Sequence, residues 1–229
     1  MEGLIGRWMG PSADRDGELA RLGLGALGER HREHAVLEGG AAPAEGATVS
    51  ALVGDLALTG RVLRAGNDAP DRPHVIVIGG LGWERPLATP VAYQSDAGIM
   101  LSTVLRDLAA RAGETIEQPA DVPIGLAYAT GSRRTVRDAL TAIVAAGYAQ
   151  PWRVDSDGVT RFGARTGGTI SARATVIRRN LGVSLRVTGV DSPAAFLPGN
   201  VLVDGDTNIP ITRMVVDEAT NRLEVEVWS

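Results

Sequence analysis

Four groups of residues in this sequence have types and spacing that could do chemistry. Val75-Ile-Val-Ile-Gly-Gly-Leu-Gly82 has the form of a strand running into a dinucleotide-binding turn. In such a turn, backbone N–H groups and a helix N-terminus hold a pyrophosphate. That fingerprint needs a third glycine where Arg85 stands and a helix where Pro86 follows, so a strand with a glycine turn is the better reading. Glu29, His31, Glu33, His34 and Glu38 are metal-ligand types, and His31 and His34 could share a helical face. No H-E-x-x-H is present and the run is dense in Arg and Glu, which favours a solvated face. Asp155, Asp157 and Gly158 resemble the start of a calcium loop, but the third acidic ligand and the distal glutamate are missing. An ordinary hairpin turn accounts for the same residues.

The fourth group is arginine. Arg173, Arg178, Arg179 and Arg186 fall on adjacent strand-like runs, and strand alternation puts Arg173 and Arg179 on one face with Arg178 on the other. A stripe lining a nucleic-acid path is one use of such residues; solvated faces and subunit salt bridges are the preferred one. No G-x-S-x-G is present, and a chain without cysteine has no thiolate nucleophile, disulfide or Cys-based zinc site. Carboxylate pairs exist, but sequence cannot place two of them across a cleft. No catalytic, cofactor-binding or metal-ligating residue is therefore assigned, and the expectation is a protein that is not an enzyme.

The whole composition fits that restraint. At 229 residues, with 44% hydrophobic and 22% charged residues, the chain can bury one large core or two small ones. Aromatics are only 4%, so the core must be built from Val, Leu, Ile and Ala, and a sugar-binding cleft with stacking rings is disfavoured. The net charge of −4 argues against a dedicated nucleic-acid binder. All 23 basic residues are arginine, which a GC-rich genome explains more simply than selection for guanidinium chemistry. There is no signal-peptide pattern at the start and no run near the roughly 20 apolar residues of a membrane span, so assembly in a cytoplasm is expected.

The elements that would position these residues are mostly strands. Residues 1–45 are expected to be an arm or docking segment, helical over Glu18–Leu37 but interrupted by Gly23, Gly25 and Gly28. Strand patterns begin at Thr48–Val53 and Leu56–Leu63, and His74–Ile78 is a continuous apolar run that should be buried on both faces. Leu87–Tyr93 is a further candidate, limited by Pro86 and Pro90. The stretch Ser95–Phe162 is different. It holds two helical segments, with Leu101, Val104, Leu105, Leu108 and Ala112 on one face of the first and Gly113 at its end. Val136, Ala139, Leu140, Ile143 and Val144 repeat the spacing, behind a capping box at Thr135 and Asp138 and ahead of Gly147. A hairpin follows around Ser156-Asp157-Gly158. Thr169–Ile177, Val183–Val187, Val201–Val203, Ile211–Val216 and Leu223–Trp228 are strand-like again. The expected fold class is α+β, mainly β: a barrel or sandwich over 46–94 and 166–229, interrupted by a small α/β insertion at 95–165.

The run G-I-M-L-S-T-V-L-R-D-L-A-A-R-A-G-E resembles the helix after the first barrel strands in baseplate hub proteins of long-tailed bacteriophages. Arg133–Phe162, with W-R-V-x-x-D-G-V-x-x-x-G, is similar to that family's continuation, and P-G-x-x-L ahead of V-V-D-E-A-T-N-R-L-E-V-E-V-W to its closing strands. The resemblance implies a tail-tube-like β-barrel in a homo-oligomeric ring, a trimer being favoured. Such a hub joins the tail tube or distal tail protein to a spike or tip protein. It encloses the channel through which genomic DNA passes without specific binding. The same resemblance implies no cofactor, no catalysis and a place in the virion, at the tail tip or baseplate. A host-surface or carbohydrate-binding tail-tip module is the alternative, and a tail hydrolase a third.

Overall fold

The structure, a computed structural model, describes residues 4–9, 22–26, 44–53, 55–69, 72–87, 90–131, 135–165, 167–170, 175–180, 184–188, 190–204, 207–211, 213–219 and 222–228. The chain divides into two compact units: a discontinuous one from Met1–Gly79 and Ala164–Ser229, and a continuous one at Gly80–Gly163. The fold is mainly β, with two α-helices among the described residues.

In the discontinuous unit, β1 (Leu4–Met9), β2 (Leu22–Ala26), β3 (Thr48–Val53), β4 (Leu56–Ala69) and β5 (Arg72–Ile78) come from the first segment. In the continuous unit, β6 (Ala92–Met100), α1 (Leu101–Ala112), β7 (Thr115–Ile116) and β8 (Pro123–Ala129) precede α2 (Val136–Ala145), β9 (Trp152–Val154) and β10 (Val159–Phe162). The chain then returns to the first unit with β11 (Thr175–Asn180), β12 (Ser184–Thr188), β13 (Val201–Asp204), β14 (Thr207–Pro210), β15 (Arg213–Ala219) and β16 (Arg222–Trp228).

Nine of these strands form one sheet in the order β11-β12-β16-β15-β1-β2-β5-β4-β3. Its neighbouring strands are antiparallel throughout. The two end strands do not pair with each other, so among the described residues the sheet is open and not a closed barrel. β4 alternates as its sequence predicts, with Leu56, Leu58 and Val62 turned into the core. Val77 and Ile78 are both buried although consecutive, so that end of β5 is covered on both faces, as the apolar run predicts. Leu185, Val187, Val190, Phe196 and Ile211 complete this core.

Two expectations are corrected here. Leu22–Ala26 is not helical: Gly23 and Gly25 disfavour a helix, and the segment pairs as a strand with β1 and β5. Leu4–Met9 and Leu22–Ala26 are accordingly interior strands of the sheet, where a docking arm over residues 1–45 was expected. The rest of the expected helix lies outside the described residues. The end of the chain holds the expected hairpin, with β15 and β16 paired from Arg213↔Trp228 to Ala219↔Arg222.

The continuous unit starts at Gly80, earlier than the expected boundary at residue 95. The reason is Trp83, which sits on a 3-10 turn at Leu81–Glu84 and is only 1% exposed within that unit's core. Its indole Nε1 donates to Thr160 Oγ1 at 2.8 Å, which satisfies both polar atoms in a dry place. The Trp152 ring lies 6.2 Å away, tilted by 52°. Residues Ser95–Met100 are strand, not the start of a helix: β6 pairs with β8 in a two-stranded ribbon, and α1 begins at Leu101. There Asp121 replaces the missing N-cap side chain, accepting from Ser102 N at 2.9 Å and Ser102 Oγ at 2.8 Å. Gly113 ends α1 in the left-handed region at φ 68°. In α2 the capping box at Thr135 and Asp138 is present in both directions, at 3.1 Å each. The buried faces are those the periodicity predicts, except that Val144 is only half-buried.

Candidate functional site

The densest polar chemistry among the described residues lies on the β9–β10 hairpin. Arg153 and Arg161 are direct cross-strand partners, and like charges in that position repel. The hairpin tolerates the pair because Asp155, two residues on from Arg153 and so on the same face, stands between them. Asp155 accepts from Arg153 Nε at 2.9 Å and from Arg161 Nη1 at 3.0 Å. Arg161 also reaches Asp157, at 2.9 and 2.8 Å, and Glu117 at 2.7 Å. Arg153 makes a further bond to the Gly163 carbonyl.

Two guanidiniums thus face three carboxylates. The bonds to Asp157, and then those to Glu117 and Asp155, hold the Arg161 guanidinium charged well above its ordinary range against the opposing effect of burial. The Asp157 carboxyl is held below its usual value, chiefly by Arg161 and also by the Val159 N–H, against partial burial and the Asp155 charge. Glu117, 64% exposed, adds little to stability, whereas Asp155, its side chain 13% exposed, is the half-buried centre of the network.

Beside this network is a cleft of about 390 Å³. Its walls are the 117–122 connector after β7, the turn after α2, and the outer part of the hairpin. Gln118, Pro119, Tyr148, Gln150, Arg153 and Phe162 contribute to its lining. A second polar cluster sits on α1, where the Tyr93 hydroxyl donates to Asp107 Oδ2 at 2.6 Å and Arg111 Nε donates to the same oxygen at 2.9 Å. Burial and the Asp107 bond push the Tyr93 phenol far up. For Asp107, burial works upward, but the bonds from Tyr93 and Arg111 prevail and hold its carboxyl low.

The residues singled out from sequence are not brought together into one site. At Gly82, the backbone N–H that would meet a phosphate donates instead to Glu114 Oε1 at 2.6 Å. A Cβ there would come within 2.1 Å of the Ala112 carbonyl, so the glycine is needed for the turn to pass the end of α1. Asp155 and Asp157 are occupied by arginine, and the hairpin reading stands: Gly158 N bonds Asp155 O and Val159 N bonds Asp157 Oδ1. Glu29, His31, Glu33, His34 and Glu38 lie outside the described residues, as does Arg173. Arg178 and Arg186 are register partners on β11 and β12, with a bulge between Val176 and Arg178. Among the described residues there is no cluster of potential metal ligands, and no helix long and apolar enough to cross a membrane.

What the sequence reasoning passed over is the arginine network and β8. The network was visible as Arg153-x-Asp155 opposite Arg161, a same-face pattern once the hairpin is drawn. Glu117 gave no local signal, because its partner is 44 residues away.

No protein-family model matches the chain, and no curated protein matches it. In three dimensions it is similar to the crystal structure of a 43 kDa tail protein of prophage MuSo2 from Shewanella oneidensis. The TM-score is 0.64 at 11% sequence identity, over 99% of this chain and 94% of that one. The chain shares the fold of that tail protein.

Proposed function

We propose that the chain is a structural component of a bacteriophage tail, acting as a baseplate or tail-tip hub. The observation that carries this is the shared fold with a prophage tail protein over nearly the whole of both chains. In the virion, copies of the chain form a ring, a trimer being favoured, between the tail tube and a spike or tip protein. The ring encloses the channel for DNA. The chain acts by assembly and not by catalysis, and it needs no cofactor.

Two features support the ring. β3 and β11 are the ends of one sheet, so each carries a row of backbone N–H and C=O groups that a second strand can pair with. Their positions at opposite ends of one sheet suit a head-to-tail contact, β11 of one copy beside β3 of the next, which closes when the rotation allows. The net charge of −4 leaves no basic excess to hold a passing phosphate backbone.

Light scattering on the purified chain across a range of concentrations, with negative-stain images, tests the proposal. Closed rings of defined order are expected. A strictly monomeric chain that is also missing from purified particles would overturn it.

A further inference from the structure

We propose that the cleft beside the β9–β10 hairpin binds a neutral, hydroxyl-rich ring, that is, an uncharged sugar unit of a glycan. The inference does not depend on the tail-hub assignment; it follows from which groups in the cleft are already engaged and which are offered.

An anionic ligand is disfavoured first. Arg161 is shared among Glu117, Asp155 and Asp157, and Arg153 is bonded to Asp155 and to the Gly163 carbonyl. An incoming phosphate or carboxylate would have to break charge-assisted bonds at 2.7 to 3.0 Å and would meet three carboxylates beside the guanidiniums. A cationic ligand is disfavoured by the same pairing, because the carboxylates are held by arginine. The network, two guanidiniums against three carboxylates, therefore acts as a wall whose charged groups are already engaged with one another.

The groups left to recognise a ligand are neutral. Gln118 and Gln150 are exposed at the cleft, and each amide brings two donors and an acceptor, a match for adjacent hydroxyls that donate and accept. Tyr148 and Phe162, both half-buried, supply ring surface that packs against the C–H faces of a sugar ring, and Pro119 extends the apolar wall. The volume of about 390 Å³ falls at the small end of ordinary ligand clefts. The low aromatic content of the chain had argued against such a cleft, but the aromatics are not spread evenly. All three tyrosines, Trp83, Trp152 and Phe162 lie within Gly80–Gly163.

The full chain is titrated with maltotriose, lactotriose and chitotriose while its ¹H–¹⁵N spectrum is recorded. Sulfated dextran fragments and a proline-rich peptide serve as the other arms. The expected result is saturable binding of at least one neutral oligosaccharide, with shifts centred on Gln118, Tyr148, Gln150 and Phe162. The double variant Gln118→Ala/Gln150→Ala, altered only at exposed side chains, should weaken that binding roughly tenfold with an unchanged melting temperature. Phe162→Leu keeps an apolar side chain but removes the ring, and should weaken it as well. Absence of saturable binding to any neutral sugar overturns the proposal. So does binding that the double glutamine variant leaves intact, a preference for the sulfated fragments, or occupation of the cleft by the peptide alone.

Discussion

The two units of this chain solve the same problem, covering an apolar core, by opposite means. The unit at Gly80–Gly163 is continuous in sequence, and its ends and turns are closed locally: Thr135 and Asp138 cap α2, Gly113 ends α1, and Asp157 shapes its own hairpin. The other unit is assembled from both ends of the chain, and its stabilising contacts span the insertion. Asp55 accepts from Ser192 Oγ and from Ala194 N, at the start of the 3-10 turn Pro193–Phe196 that sets Phe196 into the core. Local closure gives a body whose helix caps and hairpin charges are paired within it. Long-range closure leaves a broad sheet whose two end strands, β3 and β11, each have one sheet neighbour among the described residues.

Four experiments break or sharpen that contrast. The largest effect is expected from Trp83→Ala, which deletes the indole from a site 1% exposed and strips Thr160 of its partner. It should cost about 3–5 kcal/mol and abolish slow hydrogen exchange in α1 and α2 while β4, β5 and β12 keep theirs. Loss of protection in both units together would show that they unfold as one. Asp55→Ala, read by the same exchange, should cost about 1–2 kcal/mol, and the loss should appear at β4 and the 190–196 segment, not in the helices. Thr135→Ala removes one arm of the capping box and should cost about 1 kcal/mol, confined to α2.

The last experiment is a pH profile. Asp157 and Asp107 have folded-state pKa values below their usual ones, so the stability they contribute is present above the unfolded carboxylate value near 4 and is lost as pH falls through the lower folded value. Tyr93 runs the other way: its contribution is present below about pH 10 and is lost as pH rises beyond that. Thermal melts of the continuous unit should therefore be flat from about pH 5 to 9 and fall at both extremes. A midpoint that moved between pH 6 and 8 would contradict these assignments.

How much of this was legible in the sequence depended on how local the cause was. Helix faces such as Leu101, Val104, Leu105 and Leu108, the capping box and the Asp157-Gly158 turn are written within a few residues, and they were readable. β8 was not, because its Ile124-Gly-Leu-Ala-Tyr128 pattern is broken by a register shift on its partner, leaving Leu126 64% exposed where alternation would bury it. β2 was misread as helix because Leu22 and Ala26 fall near helical spacing with Leu19 and Leu27, and only pairing with β1 and β5 decides the matter. The boundary at Gly80 turned on Trp83 meeting Thr160, 77 residues away. The cleft was invisible for the same reason, since its walls come from three separated stretches.

The bond between Asp55 and the Ser192–Ala194 turn also sets an order of events during synthesis. When β1 to β5 have left the ribosome they can pair among themselves, but β15, the other neighbour of β1, and β16, β12 and β11 beyond it do not yet exist. The intervening unit, continuous in sequence, can fold as soon as Gly163 emerges. For that interval the nascent chain carries a finished module and an unfinished sheet. Slowing translation after residue 163 should therefore favour association between neighbouring nascent chains on one messenger. Crowded polysomes become the place where this protein is most exposed to mispairing.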